Sequence, residues 1–163
     1  MKKLLFVIVV TLLLVGCGEN KEVQKARAET TKAKAEIQKT QQQTDIKEEY
    51  SRYVNDVNSA STEAQIAMTK WNTLMEQYNQ GYDISLDDLK TAKSDYELEA
   101  NKLAPKIDAL LAFIEKNNDK LLETVVTKDD LFKEKSELND FKAEIATNKE
   151  QMKEEYGKVE GNS

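Results

Sequence analysis

The residue with the most distinctive chemistry in this chain is Cys17, which is its only cysteine, and the chain contains no histidine. A thiol is a nucleophile and a site of acylation, but a single cysteine cannot form an internal disulfide. Without histidine the chain lacks the side chain that most often acts as a general base or metal ligand near neutral pH. It also lacks a glycine-rich phosphate loop and a nucleophile-elbow sequence. These observations favour a protein that is not an enzyme and has no cofactor, with Cys17 as a site of modification.

The residues before Cys17 have the layout of a secretory signal. Lys2 and Lys3 supply a positive start, an apolar run covers residues 4–15, and the small Gly16 offers a cleavage point. A membrane-spanning helix needs about 17 to 25 apolar residues, so this run is too short to be one. Residues 1–16 are therefore predicted to be a signal peptide that is removed.

The sequence LVGC at residues 14–17 resembles the lipobox of bacterial lipoproteins. The resemblance implies that a diacylglyceryl group is attached to the thiol of Cys17 and that cleavage falls between Gly16 and Cys17. It also implies a lipid anchor on the extracytoplasmic side of the cell membrane or the outer membrane. The alternative is an ordinary signal peptide in which the cysteine occurs by chance.

The charge of the chain limits its partners. Loss of Lys2 and Lys3 with the signal would change the formal net charge from −6 on 163 residues to −8 on 147. An acidic chain without a broad basic face is a poor nucleic-acid binder. The acidic pairs that begin at Asp87 and Asp129 coincide with predicted helix starts, where capping explains them, and neither belongs to a calcium-loop sequence. We therefore predict no metal site.

A heptad repeat follows the signal, with the units EVQKARA, ETTKAKA and EIQKTQQ beginning at Glu22, Glu29 and Glu36. In heptad notation, Val23, Thr30 and Ile37 occupy position a, and Ala26, Ala33 and Thr40 occupy position d. The three glutamates occupy position g, and Arg27 and Lys34 occupy position e. Acidic g and basic e positions are typical of paired helices. Lysines three residues after each glutamate equally support a single helix. Because alanine and threonine bury little apolar area, the sequence favours an unpaired stalk, helical or flexible, over residues 17–45.

Two apolar seams with alternating steps of three and four predict a long antiparallel helical hairpin. The first contains Ile46, Tyr50, Tyr53, Val57, Ala60, Ala64, Ala67, Trp71, Leu74 and Tyr78, and the second contains Leu86, Leu89, Lys93, Tyr96, Ala100, Leu103, Ile107, Leu110, Ile114 and Asn117. Gly81 is predicted to cap the first helix and Ser85 with Asp88 to cap the second. Pro105 is predicted to bend the second helix.

A third helix is predicted from about Lys128 to Tyr156, with Thr127 and Asp130 at its start. Its core residues recur every seventh position as Leu131, Leu138, Ile145, Met152 and Val159, and Phe132, Phe141 and Tyr156 widen the stripe. This helix would close the hairpin into an all-α three-helix bundle over residues 46–156, followed by a flexible tail at residues 157–163.

The preferred function is a membrane-anchored envelope lipoprotein that acts as a non-catalytic interaction or adaptor module for another envelope protein. The alternatives are a self-associating spacer, a scaffold that contacts the cell wall, and, by analogy alone, an exclusion or immunity lipoprotein of a mobile element. Tyr82, Asp87 and Asp88, at the hairpin turn, are the candidate partner contacts. The other interpretation of these residues is structural, with Tyr82 filling the turn and both aspartates serving the helix start.

Overall fold

Three α-helices make up nearly all of the part of the chain that the structure, a computed structural model, describes, which is residues 21–161. Helix α1 covers Lys21–Asn79, α2 covers Leu86–Thr124 and α3 covers Lys128–Gly161. The all-α class predicted from the sequence is confirmed. Residue contacts divide the chain into two compact units, Met1–Gln41 and Gln42–Ser163.

The described part of the first unit, residues 21–41, is helical and is called the stalk helix below. All of its side chains are exposed. The hydroxyls of Thr30, Thr31 and Thr40 donate to backbone carbonyl oxygens four residues earlier, at distances of 2.8 to 2.9 Å. Alanine, glutamate, lysine and glutamine dominate this segment, and all four have high helix propensity. Of the two conformations left open by the sequence, the structure has the helix.

In the second unit, α2 runs antiparallel to α1, as the two seams predicted. Near one end of the hairpin, the rings of Tyr53 and Phe113 lie with their centroids 5.0 Å apart. Further along α1, Lys70 Nζ lies 2.8 Å from Asp95 Oδ2. Contacts that advance along α1 therefore retreat along α2, which is the geometry of a helical hairpin.

Helix α3 lies parallel to α1 and antiparallel to α2. Two side-chain hydrogen bonds join α1 to α3, from the Tyr50 hydroxyl to Glu134 and from Trp71 Nε1 to Glu155, and each joins residues 84 positions apart. A constant offset means that the two helices run in the same direction.

Two lysines of α3 reach across to α2. Lys142 Nζ lies 2.5 Å from Asp108 Oδ1, and Lys149 Nζ lies 2.8 Å from Asn101 Oδ1. A step of seven residues forward along α3 therefore corresponds to a step of seven residues backward along α2, as in an antiparallel pair. The third helix thus closes the bundle in the predicted orientation.

The core follows the predicted seams closely. Its buried residues are Tyr50, Val57, Ala60, Ala64, Ala67, Trp71, Leu89, Ala92, Tyr96, Ala100, Leu103, Ile107, Leu110, Phe113, Ile114, Leu121, Leu131, Leu138, Ile145, Met152 and Val159. Three buried residues of α2 lie outside the predicted seams: Ala92, Phe113 and Leu121. Lys93, the charged member of the second seam, is half-buried, and its Nζ lies 2.7 Å from Glu97 Oε1.

Both turns carry the predicted caps. Gly81 has φ +84°, the left-handed conformation that glycine adopts without steric cost. The Ser85 hydroxyl accepts a hydrogen bond from the backbone N–H of Asp88 at 3.1 Å. The Thr127 hydroxyl accepts one from the N–H of Asp130 at 3.2 Å. Each hydroxyl satisfies an N–H that the first turn of a helix leaves without a helical partner.

The irregular point of α2 is not where the sequence placed it. Helical backbone continues through Pro105, and the non-helical dihedrals occur at Asn117, with φ −114° and ψ 16°. Pro105 is exposed, so the hydrogen bond that it removes faces water. At Asn117 the side-chain amide donates to the carbonyl of Phe113 at 3.0 Å and competes with the helical hydrogen bond.

Two predictions for α3 need correction. Phe132 was placed on the core stripe, but it is 77% exposed, because one residue after Leu131 the helix surface has turned about 100° away from the core. The tail was predicted to begin at residue 157, but α3 continues to Gly161. Val159 is buried there, since it is the last member of the seven-residue repeat. Phe141 and Tyr156 do pack against the core.

Candidate functional site

The predicted lipidation and cleavage residues, Cys17 and Gly16, lie outside the described residues, as does the predicted signal peptide. The remaining candidate contacts are on the second unit, and three surfaces of this unit could bind a partner.

The first surface is the turn between α1 and α2. Tyr82 is 63% exposed, so its ring does not fill the turn. Its backbone N–H donates to the carbonyl of Gln77 at 3.1 Å, which fixes the chain just after the Gly81 cap. Asp87 and Asp88 are both exposed in the first turn of α2. An accessible phenol beside carboxylates can offer hydrogen bonds and negative charge to a partner.

Asp88 also has a structural role. One of its carboxylate oxygens accepts a hydrogen bond of 2.6 Å from the Ser85 hydroxyl, in addition to the backbone contact of the cap. Part of the structural interpretation of the turn is therefore correct for Asp88, whereas Tyr82 is available at the surface.

The second surface is a stripe on the exposed side of α1, called the α1 face below. Its members recur with steps of three and four: Ser59, Thr62, Ile66, Thr69 and Thr73. Ile66 is 61% exposed at its centre. From residue 58 to residue 75 the only charged side chains are Glu63 and Lys70, whereas 17 of the 34 residues of α3 are charged. Solvent-exposed helix surfaces are usually charged, so the low charge of this stretch distinguishes it.

The threonines of the α1 face have their hydroxyl protons engaged. Thr62, Thr69 and Thr73 donate to the carbonyls four residues earlier, at 3.0, 2.8 and 2.9 Å. Each therefore presents to solvent a methyl group and a hydroxyl whose proton is already hydrogen-bonded. Covering such a surface costs less than covering free hydroxyls, because fewer hydrogen bonds to water are lost.

The third surface is a groove of about 540 Å³ between α1 and α3, directly beside the α1 face. Its lining is mostly uncharged, with amide, hydroxyl, aromatic and aliphatic side chains: Ser61, Ala64, Gln65, Met68, Thr69, Asn72, Tyr96, Leu103, Phe141, Glu144, Ile145 and Asn148. The groove forms where small α1 side chains such as Ala64 leave space in front of Ile145.

Tyr96 and Asn148 both line this groove. Burial raises the pKa of the Tyr96 hydroxyl, the hydrogen bond with Asn148 lowers it, and the charge of Glu144 raises it again, with a net increase. The hydroxyl is therefore a neutral hydrogen-bonding group at physiological pH, not a proton-transfer group. The groove can bind polar neutral groups, but its geometry offers no nucleophile and base in contact.

The aromatic residues Tyr50, Trp71 and Tyr96 lie near polar residues of α3 that follow one pattern, which the sequence analysis missed. Glu134 accepts a hydrogen bond from Tyr50 and Glu155 accepts one from Trp71 at 3.3 Å, and Asn148 lines the groove together with Tyr96. Burial, followed by the hydrogen bond and charge of Glu134, raises the pKa of Tyr50 well above its usual range.

A signal for this pattern is present in the sequence. Residues 134, 141, 148 and 155 are spaced by seven and each follows a core residue of α3 by three. Three of the four are polar, so hydropathy alone assigns them to the surface.

Within residues 21–161, no group of three or more acidic or other metal-ligating side chains is placed to hold a metal ion. Over the same residues, no helix has an apolar stretch long enough to span a bilayer. Comparisons with protein-family models, curated proteins and solved structures found no match to this chain. The described residues form an all-α three-helix bundle whose exposed features include the turn, the α1 face and the adjacent groove.

Proposed function

We propose that this protein is a lipid-anchored envelope lipoprotein whose bundle is a non-catalytic docking module for another envelope protein. Cys17 is the anchor, on the extracytoplasmic side of the cell membrane or outer membrane. The docking surface is the α1 face together with the adjacent groove. The partner contributes an amphipathic helix, which is a common way for one protein to fill a groove on another.

The low charge of the exposed α1 side chains is the observation that carries the docking proposal. Protein interfaces are depleted of charged residues at their centre, whereas solvated helix surfaces are rich in them. Ile66 supplies an exposed aliphatic anchor in the middle of the stripe. The threonines add methyl groups whose neighbouring hydroxyls are already bonded. A partner helix would therefore gain apolar contact here with little loss of hydration.

The anchor is supported by the sequence before Cys17 and by the energetics of acylation. A single acyl chain gives only marginal membrane binding, but the two chains of a diacylglyceryl group give stable attachment. Mass spectrometry of the mature protein tests this directly, since the proposal expects an N-terminal Cys17 that carries lipid. An unmodified N-terminus, or a chain that still contains residues 1–16, would refute the anchor.

The docking surface is tested by photo-cross-linking in living cells, with a photoactivatable residue at position 66. The decisive comparison is between Thr69→Glu and Thr147→Glu. Both threonines are exposed on a helix, and both donate their hydroxyl to a carbonyl four residues earlier, Thr69 at 2.8 Å and Thr147 at 3.0 Å. Thr69 lies on the α1 face, whereas Thr147 lies on the charged exposed surface of α3.

We expect Thr69→Glu to reduce capture of the partner at least tenfold, because it places a charge at the centre of the interface, and Thr147→Glu to leave it unchanged. Circular dichroism of both variants controls for folding. Equal capture by the two variants would show that the partner does not bind the α1 face. If Tyr82→Ala instead abolished capture, the turn would be the docking site. Loss of capture in Cys17→Ala would show that docking needs the anchor.

A self-associating spacer is the second candidate, and one observation favours it. The stalk helix has all of its apolar a and d side chains exposed. Contact with the cell wall and an exclusion or immunity role have no comparable support in the contacts of residues 21–161.

A further inference from the structure

The stalk helix has the side-chain pattern of one strand of a coiled coil, and its a and d side chains are exposed in the described part of the chain. At the a positions, Val23 is 39% exposed and Ile37 is 58% exposed. Thr30 occupies the a position between them. All three are β-branched, a side-chain type that at position a favours two-stranded parallel coiled coils when d is leucine; here d is alanine or threonine, so the charges beside the seam have to select the arrangement.

The charges beside this seam are also unpaired. Among the residues described, Glu22, Glu29, Arg27 and Lys34 take part in none of the ion pairs of the chain. In a parallel pair of stalk helices, the g residue Glu29 of one chain lies beside the e residue Lys34 of the other, and Glu22 lies beside Arg27. The symmetry of the pair gives each of these contacts twice.

The same charges select the orientation of the two helices. In an antiparallel pair, g positions face g positions and e positions face e positions, so that glutamate would meet glutamate and a basic residue would meet a basic residue. Like charges at these positions are destabilising. The charge pattern is therefore complementary to a second copy of the same segment only in the parallel arrangement.

We infer that the stalk helix forms a parallel two-stranded coiled coil with the stalk helix of a second copy when the chains are held on one surface. The inference rests on the proposed anchor at Cys17, which brings two stalks together with the same orientation. It extends the proposed function by naming a partner, a second copy of this chain, for a segment that lies outside the docking surface.

Tethering is required because the seam is weak. Ala26, Ala33 and Thr40 at the d positions contribute little buried area, so free chains do not overcome the entropy of association. Attachment to a common surface raises the effective concentration to the order of millimolar and makes pairing effectively intramolecular. Pairing is thus a property of anchored chains and is absent from dilute solution.

The experiment uses the mature chain, residues 17–163, in which the thiol of Cys17 is the only one. Coupling this thiol to maleimide lipids in phosphatidylcholine vesicles reproduces the anchor without relying on cellular lipidation. A photoactivatable residue at Ile37 (position a) reports pairing. The matched control carries it at Ala35 (position f), which is exposed on the opposite side of the same helix.

We expect covalent dimers from position 37 on vesicles, at least tenfold more than from position 35, and none from the same chains in solution with the thiol blocked. Glu29→Lys should lower the dimer yield about fivefold, since two g–e contacts become repulsive. Adding Lys34→Glu to the same chain should restore the yield, because the contacts are again between opposite charges. Recovery of the dimer yield would show that Glu29→Lys acts through the ion pair with Lys34 of the other chain, because a general loss of helix would not be reversed by the second change.

The inference is overturned if positions 37 and 35 cross-link equally on vesicles, if neither gives dimers, or if the double change does not restore the yield. The vesicle result is independent of cellular lipidation. Dimers on vesicles together with an unmodified Cys17 in cells would refute the anchor but not the pairing. A lipidated Cys17 with no dimers on vesicles would refute the pairing but leave the anchored docking module standing.

Discussion

Leu131 and Phe132 are adjacent large apolar residues of α3 with opposite environments, and replacing each by alanine tests the packing of the bundle. Leu131 is 2% exposed, whereas Phe132 is 77% exposed. Truncating a buried leucine removes transfer free energy and leaves a cavity, at a cost of about 2 to 5 kcal/mol. For Phe132 only about a quarter of the surface is covered. At about 2 kcal/mol for complete burial, the expected cost is roughly 0.5 kcal/mol.

Urea unfolding, followed by the fluorescence of Trp71, measures both values. Trp71 is the only tryptophan of the chain, is 1% exposed, and donates its indole N–H to Glu155 of α3. Its emission therefore reports both core exposure and release of α3. With a urea dependence of about 2 kcal/mol per molar, Leu131→Ala should lower the midpoint by about 1 to 2.5 M. Phe132→Ala should lower it by only about 0.2 M.

The reasoning would be refuted if the larger loss of stability came from Phe132→Ala, or if the two midpoints shifted equally. Either result would mean that the Phe132 ring is covered in solution, and hence that α3 is rotated relative to the arrangement described above. An unchanged slope in both variants is needed for the comparison, because a changed slope indicates a different unfolding reaction.

Two further changes test the turn and the aromatic contacts of α3. Gly81→Ala should destabilise the protein by about 1 kcal/mol in the same assay, from backbone strain at φ +84° alone, since no atom lies within 4 Å of the added Cβ; a neutral effect would contradict the left-handed cap. Tyr50 has a raised pKa in the folded state, so the unfolded chain loses this proton first and stability should fall as the pH rises above about 10. Tyr50→Phe should make that fall shallower, with Tyr96 responsible for the remainder, and an identical slope between pH 9 and 11 in both proteins would show that Tyr50 is not buried against Glu134.

The helix ends and the core stripe of this protein could be predicted because each depends on neighbouring residues alone. Gly81, Ser85 and Thr127 act through their own backbone conformation or through an N–H three residues away. The seven-residue repeat from Leu131 to Val159 states which side of α3 is buried. The same repeat includes Val159 and therefore predicts a helix that reaches at least this residue. The predicted end at Tyr156 was too early for that reason.

The bend in α2 could not be located by residue type alone. The cost of a proline depends on where its missing hydrogen bond points, and exposure at Pro105 reduces that cost. Asn117 disrupts the helix because its side-chain amide donates to the carbonyl of Phe113. Whether this hydrogen bond replaces the regular helical one depends on the residues packed around it. Both outcomes depend on tertiary context.

The polar side chains between α1 and α3 were missed for a different reason. Hydropathy assigns Glu134 and Glu155 to the surface, yet the hydroxyl of Tyr50 and the indole of Trp71 each need an acceptor where they approach α3. Which acceptor such a hydroxyl or indole N–H finds depends on how two helices pack together, and this cannot be read from either helix alone. The α1 face was missed although its signal is in the sequence, since residues 58–75 contain only two charged side chains and the predicted seam already gave the buried positions among them.

The sparse attachment of α3 has a consequence for the order in which the bundle opens. Its buried side chains are five in 34 residues, one in each seven-residue repeat, whereas α2 has ten in 39. Helix α1 has six in 59, but it packs against the densely buried α2, so we expect α3 to be the helix that detaches in a partial opening. Amide protons of α3 should therefore exchange with deuterium ahead of those of α2, and the floor of the groove, with Tyr96 and Leu103, becomes accessible in that opened state. We therefore expect a partly open conformation in which the hairpin remains folded and one long apolar side is accessible to solvent.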